Sequence, residues 1–325
     1  MTSLLLMVLL AQKIDFEARP RILLQRSDLK FERISVSSDH IFVRDEENSS
    51  VLVFDHKGRL TSTLGEETSN NLQLPYQVSW LEARKELFVY DAATRGFLIW
   101  KQNADGTFAF TRQNDTEFGL FFEVGHLIPI SDIGFAAPVS LVKEKYLVGR
   151  FDAGFTPIRY GYEIMNRQLT TLSPVLRQSF MAKVKPNGGE RLLAIQSLSP
   201  EVQVFDTNLT QLTTISVKPP GWKDPNMRKL KRVSKNPREL EKLKSSYSEV
   251  IAIYGLDDTL FLVGYRNVRA PNLYTYQCYD ANTGQPVGQA FETAFWLVAN
   301  LNTTGYYLDK ASSKPELYPI EVVKR

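Results

Sequence analysis

A single cysteine, Cys278, stands in the whole 325-residue chain. One thiol makes no internal disulfide framework and no Cys-rich metal site; on a strand it reads as a small buried hydrophobe. Histidine is nearly as scarce. His40, His56 and His126 are the three in the chain, a count that nearly excludes a zinc centre built on several imidazoles. A hard cation needs only oxygen ligands, so carboxylate-bound calcium stays open, although the simpler expectation is no cofactor at all. Catalytic signatures are missing too: no glycine-flanked nucleophile serine, P-loop, dinucleotide glycine fingerprint or His-Glu-x-x-His helix occurs. The chain also lacks a run of transmembrane length. Its longest apolar stretch, within Ser3 to Gln12, is too short to cross a bilayer but has the length of a signal-peptide core.

That stretch sets the expectation for location. Residues 1–12 read as a signal peptide without its basic leader, which implies a secreted or periplasmic protein; a buried strand in a cytoplasmic protein is the alternative. No cysteine follows closely enough to carry a lipid anchor. With 43% hydrophobic residues the chain can fill a large core, which excludes wholesale disorder. Its 14 Tyr and 19 Phe suit sheets better than helices.

What is present is a recurring strand phrase. Ile41-Phe42-Val43-Arg44-Asp45 returns as Leu87-Phe88-Val89-Tyr90-Asp91, and looser copies end at Arg150, Gln196, Tyr265 and Asp309. The successive intervals are 46, 59, 46, 69 and 44 residues. Three agree, and two are longer as insertions would make them. A period near 40–50 residues with several strands per repeat is the pattern of a propeller blade, so six copies predict an all-β, six-bladed β-propeller over residues 20–325. Asp55, Asp206 and Asp280 each close a third strand before a turn, where an aspartate side chain bonds the backbone two residues on. After Asp309 room remains for one strand, Leu317 to Val323. The outer strand of the last blade is therefore expected from the N-terminal stretch, within Arg21 to Phe31. A ring closed in this way has no open edge, and a monomer is expected.

These residues resemble the NHL-type, TolB-like repeat of six-bladed β-propellers. The phrase matches best from Val43 to Gly65 and fairly from Leu87 to Lys101 and from Leu193 to Leu212. As architecture the resemblance covers most of residues 34–323. It implies no one function, since such propellers include sugar- and protein-binding modules, RNA-binding scaffolds, lyases and lactonases.

The longest interval holds a basic insertion, residues 218–249, between blades 4 and 5. Ten Lys and Arg stand there against four Asp and Glu, leaving the rest of a +3 chain at −3. Asp224-Pro225 and Asn236-Pro237 each place a capping residue before a proline, with Glu239 completing a capping box. Two short helices are expected, with Met227, Leu230 and Val233 on one apolar stripe and Leu240, Leu243 and Tyr247 on another. Nucleic acid is a poor fit for this charge, because the only aromatics are Trp222 and Tyr247 near its ends.

Equivalent positions in successive blades form a ring. The residues ending the second strands, Asp45, Asp91, Arg150, Gln196, Tyr265 and Asp309, are thus expected to meet at one mouth of the central channel. Neighbouring loops would add Arg44, Arg95, Arg266 and Arg269. Three carboxylates suit a cation, while interleaved arginines suit pairing or an anionic ligand; Asp45 and Asp91 also read as turn caps. The expected function is a non-catalytic binding propeller, exported, that captures an unknown protein or small-molecule ligand at that mouth. The alternative from another class is a metal-dependent propeller enzyme, a lyase or lactonase-like hydrolase.

Overall fold

The structure is a computed structural model, and it describes residues 14–26, 33–66, 72–114, 121–124, 126–130, 134–141, 146–163, 178–266, 268, 273–309, 312 and 315–325. The expected signal peptide, residues 1–12, lies outside the described residues.

Strands β1 (Ile14–Ala18) and β2 (Ile22–Leu23) precede the first blade, which is built from β3 (Ile34–Val36), β4 (His40–Asp45), β5 (Ser50–Asp55) and β6 (Leu60–Leu64). Blade 2 contains β7 (Pro75–Leu81), β8 (Glu86–Asp91), β9 (Gly96–Gln102) and β10 (Phe108–Asn114). Blade 3 contains β11 (Phe121–Val124), β12 (Ile128–Ile130), β13 (Gly134–Leu141), β14 (Tyr146–Phe151) and β15 (Pro157–Glu163). Blade 4 contains β16 (Ser179–Val184), β17 (Arg191–Gln196), β18 (Glu201–Phe205) and β19 (Gln211–Ser216). Helices α1 (Met227–Val233) and α2 (Pro237–Lys244) follow, before blade 5 with β20 (Glu249–Gly255), β21 (Leu260–Arg266), β22 (Tyr274–Asp280) and β23 (Pro286–Thr293). Blade 6 contains β24 (Trp296–Leu301), β25 (Thr304–Leu308) and β26 (Glu316–Lys324). Six antiparallel meanders make the six-bladed propeller.

The second strands read as unbroken apolar runs because both of their faces are buried. Ile41 and Val43 turn toward blade 6, where they share a core with Tyr306 and Leu308. Phe42 between them turns toward blade 2 and packs with Trp80 and Leu87. Blade 4 repeats the pattern: Leu192 and Ala194 face blade 3, Leu193 and Ile195 face blade 5. Six such cores fill the six gaps between neighbouring blades. As many interfaces as blades means a closed ring. Each fully buried Ile, Val, Leu or Phe contributes roughly 1.5–3 kcal/mol relative to exposure, so the gaps carry most of the stabilisation.

Closure uses both chain ends, at a different place from the one expected. β26 pairs on one side with β25 and on the other with β1, from Ile14 opposite Lys324 to Ala18 opposite Ile320. Only the short β2, opposite Glu316 and Leu317, falls within the Arg21 to Phe31 stretch. Alternation in Ile14-Asp15-Phe16-Glu17 marks β1, with Ile14 buried against blade 5 and blade 6.

Blade 3 departs from the sequence reading as well. β11 and β12 together border β13, so β13 is the second strand and β14 the third. The copy ending at Arg150 is therefore one strand out of phase. Gly134, Pro138 and small alanines hide β13, while Tyr146-Leu147-Val148 in β14 carries the familiar phrase. Asp152 confirms the phase: it accepts from the N–H groups of Gly154 and Thr156 at 2.8 Å each. Asp55 and Asp206 make the same bonds in the turns after the third strands of blades 1 and 4.

The insertion forms the two helices expected, with one shifted cap. Asn236 caps α2 through the Glu239 N–H, and Pro237 occupies its first turn. α1 is capped by Asn226 through the Lys229 N–H at 3.0 Å, not by Asp224; Asp224 instead accepts from the Trp222 indole at 2.8 Å. Leu230, Leu240 and Tyr247 are buried in the core that blades 3 and 4 share. No helix among the described residues is long and apolar enough to cross a membrane.

Candidate functional site: the central channel

Register sets which residues meet where. The first strands β3, β7, β12, β16, β20 and β24 line the axis. Each second strand runs back antiparallel beside its first strand, so Asp91 lies opposite Pro75, Gln196 opposite Ser179, and Tyr265 opposite Val250. The end at which the second strands finish, which also bears the helical insertion, is here called the top.

A channel of about 730 Å³ runs between the first strands of all six blades. Arg33, Gln77, Gln178, Glu249 and Trp296 contribute to its wall from near the top ends of these strands, and Ser197 and Lys244 reach it from connections on the same side. Glu82, Lys183, Gly255, Asn300 and Asn302 stand toward the bottom end. Ser79 and His126 meet in between: the hydroxyl lies 3.3 Å from the imidazole Nδ1 and accepts from the Leu127 N–H at 3.1 Å. His126 faces the channel and is exposed there. Enclosure by the ring pushes its pKa down to about 4, because burial penalises the cation; channel water limits that push. Burial likewise raises the pKa of Tyr254 on the same wall, which keeps the phenol protonated.

The residues expected at the mouth lie elsewhere. Asp45, Asp91, Gln196 and Tyr265 end second strands at the top, and Asp309 follows β25 there, but none of them contributes to the channel wall. Asp91 is fully buried and accepts four backbone N–H groups, from Gln73 (2.6 Å), Leu74 (3.2 Å), Ala93 (2.9 Å) and Thr94 (3.1 Å). It thereby fastens the link between blades 1 and 2 to a turn. Asp45 accepts from the Asn48 backbone and side-chain amides and pairs with Arg26 at 3.2 Å. The Tyr265 hydroxyl donates to the Val217 carbonyl at 2.5 Å and meets that of Tyr279 at 3.0 Å. Gln196 is fully buried, and neither atom of its amide has a hydrogen-bond partner among the described residues.

Arg150 stands in the third strand of blade 3, away from the ring. Of the arginines expected on loops, Arg44 lies within β4 and Arg266 ends β21; Arg44 pairs with Glu46 at 2.9 Å. Arg95 is exposed in the turn after β8, with φ at 56°. Arg266 grips the Glu249 carboxylate through Nε (3.0 Å) and Nη2 (2.8 Å). Arg269 lies outside the described residues. Sequence reasoning missed the wall because the recurring phrase marks the second strands, whereas the wall is built by the first strands beside them. The signal available was register: in blades 4 and 5 the residues that antiparallel pairing sets opposite Gln196 and Tyr265, Ser179 and Val250, stand on the wall.

No family model matches the chain, and no curated protein matches it in sequence. Solved structures do match in shape. A member of the DUF4221 family from Bacteroides vulgatus superposes with a TM-score of 0.66 at 9% identity, over 97% of this chain and 99% of that one. A presumed exported protein from Bacteroides fragilis gives 0.63 at 14% identity, over 96% and 95%. Virginiamycin B lyase from Staphylococcus aureus gives 0.51 at 9% identity, over 95% and 100%. At such identities the likeness establishes the fold, a six-bladed propeller.

Proposed function

We propose that this chain is a non-catalytic binding propeller of the NHL-like kind, exported, that takes a small ligand through the top mouth of its central channel. The observation that carries the reading is the channel itself. Its volume of about 730 Å³ lies within the span of small-molecule sites, roughly 300–1,000 Å³. All six blades supply its wall, so a ligand would meet a rigid frame with aromatic, amide and charged groups in turn. Export draws support from the apolar run at the start of the sequence and from the presumed exported protein of like shape.

The test is thermal stabilisation by a panel of small metabolites, applied to the native chain and to a plugged variant. Val298, half-buried on the channel wall, is replaced by Trp. A ligand at about 100 times its Kd should stabilise the native chain by about 2.7 kcal/mol and leave V298W unmoved. Stabilisation that survives in V298W would place the ligand elsewhere. Elemental analysis tests the enzymatic alternative: stoichiometric calcium or zinc in the purified chain would favour it over this reading.

A further inference from the structure

Charge on the channel wall is balanced residue by residue, with one exception. Glu249 is matched by Arg266, and Glu82 by the Lys85 ammonium and the Trp80 indole at 2.6 Å. Lys183 meets Glu190 at 3.3 Å and the Pro129 carbonyl at 2.8 Å. Lys244 meets Glu241 at 3.0 Å. Arg33 has no acidic partner among the described residues. Its contacts are neutral: Nη1 donates to Gln77 Oε1 at 3.0 Å, Nη2 donates to the Tyr76 hydroxyl at 2.7 Å, and Cζ lies 3.9 Å from the centre of the Tyr76 ring. Gln77 is itself fixed, since its Nε2 donates to the Val78 carbonyl at 2.9 Å. A guanidinium has five N–H donors, of which roughly three remain after these two bonds.

We infer that Arg33 is the anion-binding residue of the channel and that the ligand is a small organic carboxylate. The inference rests on the reading that the channel takes a small ligand, and it names that ligand's chemistry. Neutral holders fix the guanidinium without cancelling its charge, and the N–H groups left over suit the oxygens of a carboxylate. Enclosure strengthens the attraction, because low-dielectric walls screen it less than open water does. Phe180, Tyr254 and Trp296 line the same channel and offer faces for the ligand's organic body. One guanidinium suits a monoanion better than a phosphate, whose second charge would find every other wall cation already paired.

The experiment uses the full chain at low ionic strength, with calorimetry and tryptophan fluorescence reporting, since Trp80 and Trp296 line the channel. Four probes are compared: benzoate, its neutral isostere benzamide, the cation benzamidinium, and inorganic phosphate. The expected result is binding of benzoate in preference to the other three. Its Kd should rise roughly ten- to a hundred-fold in R33M, the span expected for loss of a charged hydrogen bond, and less in R33K, which keeps the charge without the fork. Circular dichroism and unchanged thermal unfolding certify that R33M is folded. If R33M fails to fold, the four-probe comparison on the native chain decides alone. Preference for benzamide, benzamidinium or phosphate would overturn the carboxylate assignment and leave the channel reading standing. Benzoate bound equally well by native chain and R33M would overturn the role of Arg33. No response to any probe would overturn the inference, while the metabolite panel against V298W still tests the channel reading on its own.

Discussion

Asp91 shows what a single buried carboxylate does in this ring. It has no solvent exposure, and four N–H donors from two separate segments converge on it. Asp91→Ala would leave those donors short of partners, at a cost of about 3–5 kcal/mol; urea denaturation should show it, with Asp91→Asn costing less because one oxygen remains. His126 makes the molecule pH-sensitive. Enclosure holds its folded pKa below the ordinary 6.5, so below that value the unfolded chain binds a proton that the folded chain resists. Stability is then full above pH 6.5 and falls as the pH drops below it. His40, also lowered chiefly by burial, adds in the same direction. Denaturation midpoints at pH 7 and pH 5 should differ less in H126N than in the native chain, and an unchanged difference would remove His126 from the account.

Among the elements, the helical insertion is the one whose role changed on folding. Its boundaries and its second cap were readable from Asn236-Pro237 and from charge, but its destination was not. Leu230 is fully buried and Leu240 nearly so, both in the core between blades 3 and 4. The insertion therefore caps a blade interface as well as presenting lysines and arginines. Its ends meet: the Lys223 N–H donates to Ser248 Oγ at 3.1 Å, and the Ser248 N–H to the Lys223 carbonyl at 2.9 Å. A short Gly/Ser loop in place of residues 225–246 can thus span the gap. We expect that variant to remain a cooperatively unfolding propeller but to lose about 3–6 kcal/mol, the burial of two leucines. Loss of the cooperative transition would instead make the helices part of the ring's own core. β14 gives the opposite lesson: an apolar phrase with a closing aspartate marks a buried strand without saying which strand of the blade it is.

At the scale of the whole molecule, stability depends on a strand that closes the ring from the far end of the chain. β1 covers the outer edge of β26 and also touches blade 5, where Gly288 comes so close that a Cβ would lie 2.8 Å from that of Ile14. Gly58 plays a similar part on blade 1: its turn (φ +80°) passes against the Leu23 carbonyl, which a side chain would strike. A chain beginning at Arg19 should lose the outer strand of blade 6 and bare the β26 edge, a template for pairing with other chains. Compared with a chain beginning at Lys13, it should melt lower and self-associate, as size-exclusion chromatography would show. Equal melting would mean that β2 alone closes the ring.

The sequence by itself determined the sheet class, the six repeats, the position of the insertion and the want of catalytic signatures, because apolar runs, turn aspartates and proline caps act on their near neighbours. Only the tertiary structure decided what faces the channel. The strong second strands, where Asp45, Asp91, Gln196 and Tyr265 lie, bury both faces between blades, and the wall falls to the first strands, which the recurring phrase does not mark. The isolation of Arg33 is decided at the same level. The groups that hold it, Tyr76 and Gln77, stand 43 and 44 residues further along, one blade away, and become its neighbours when the ring packs blade 2 against blade 1.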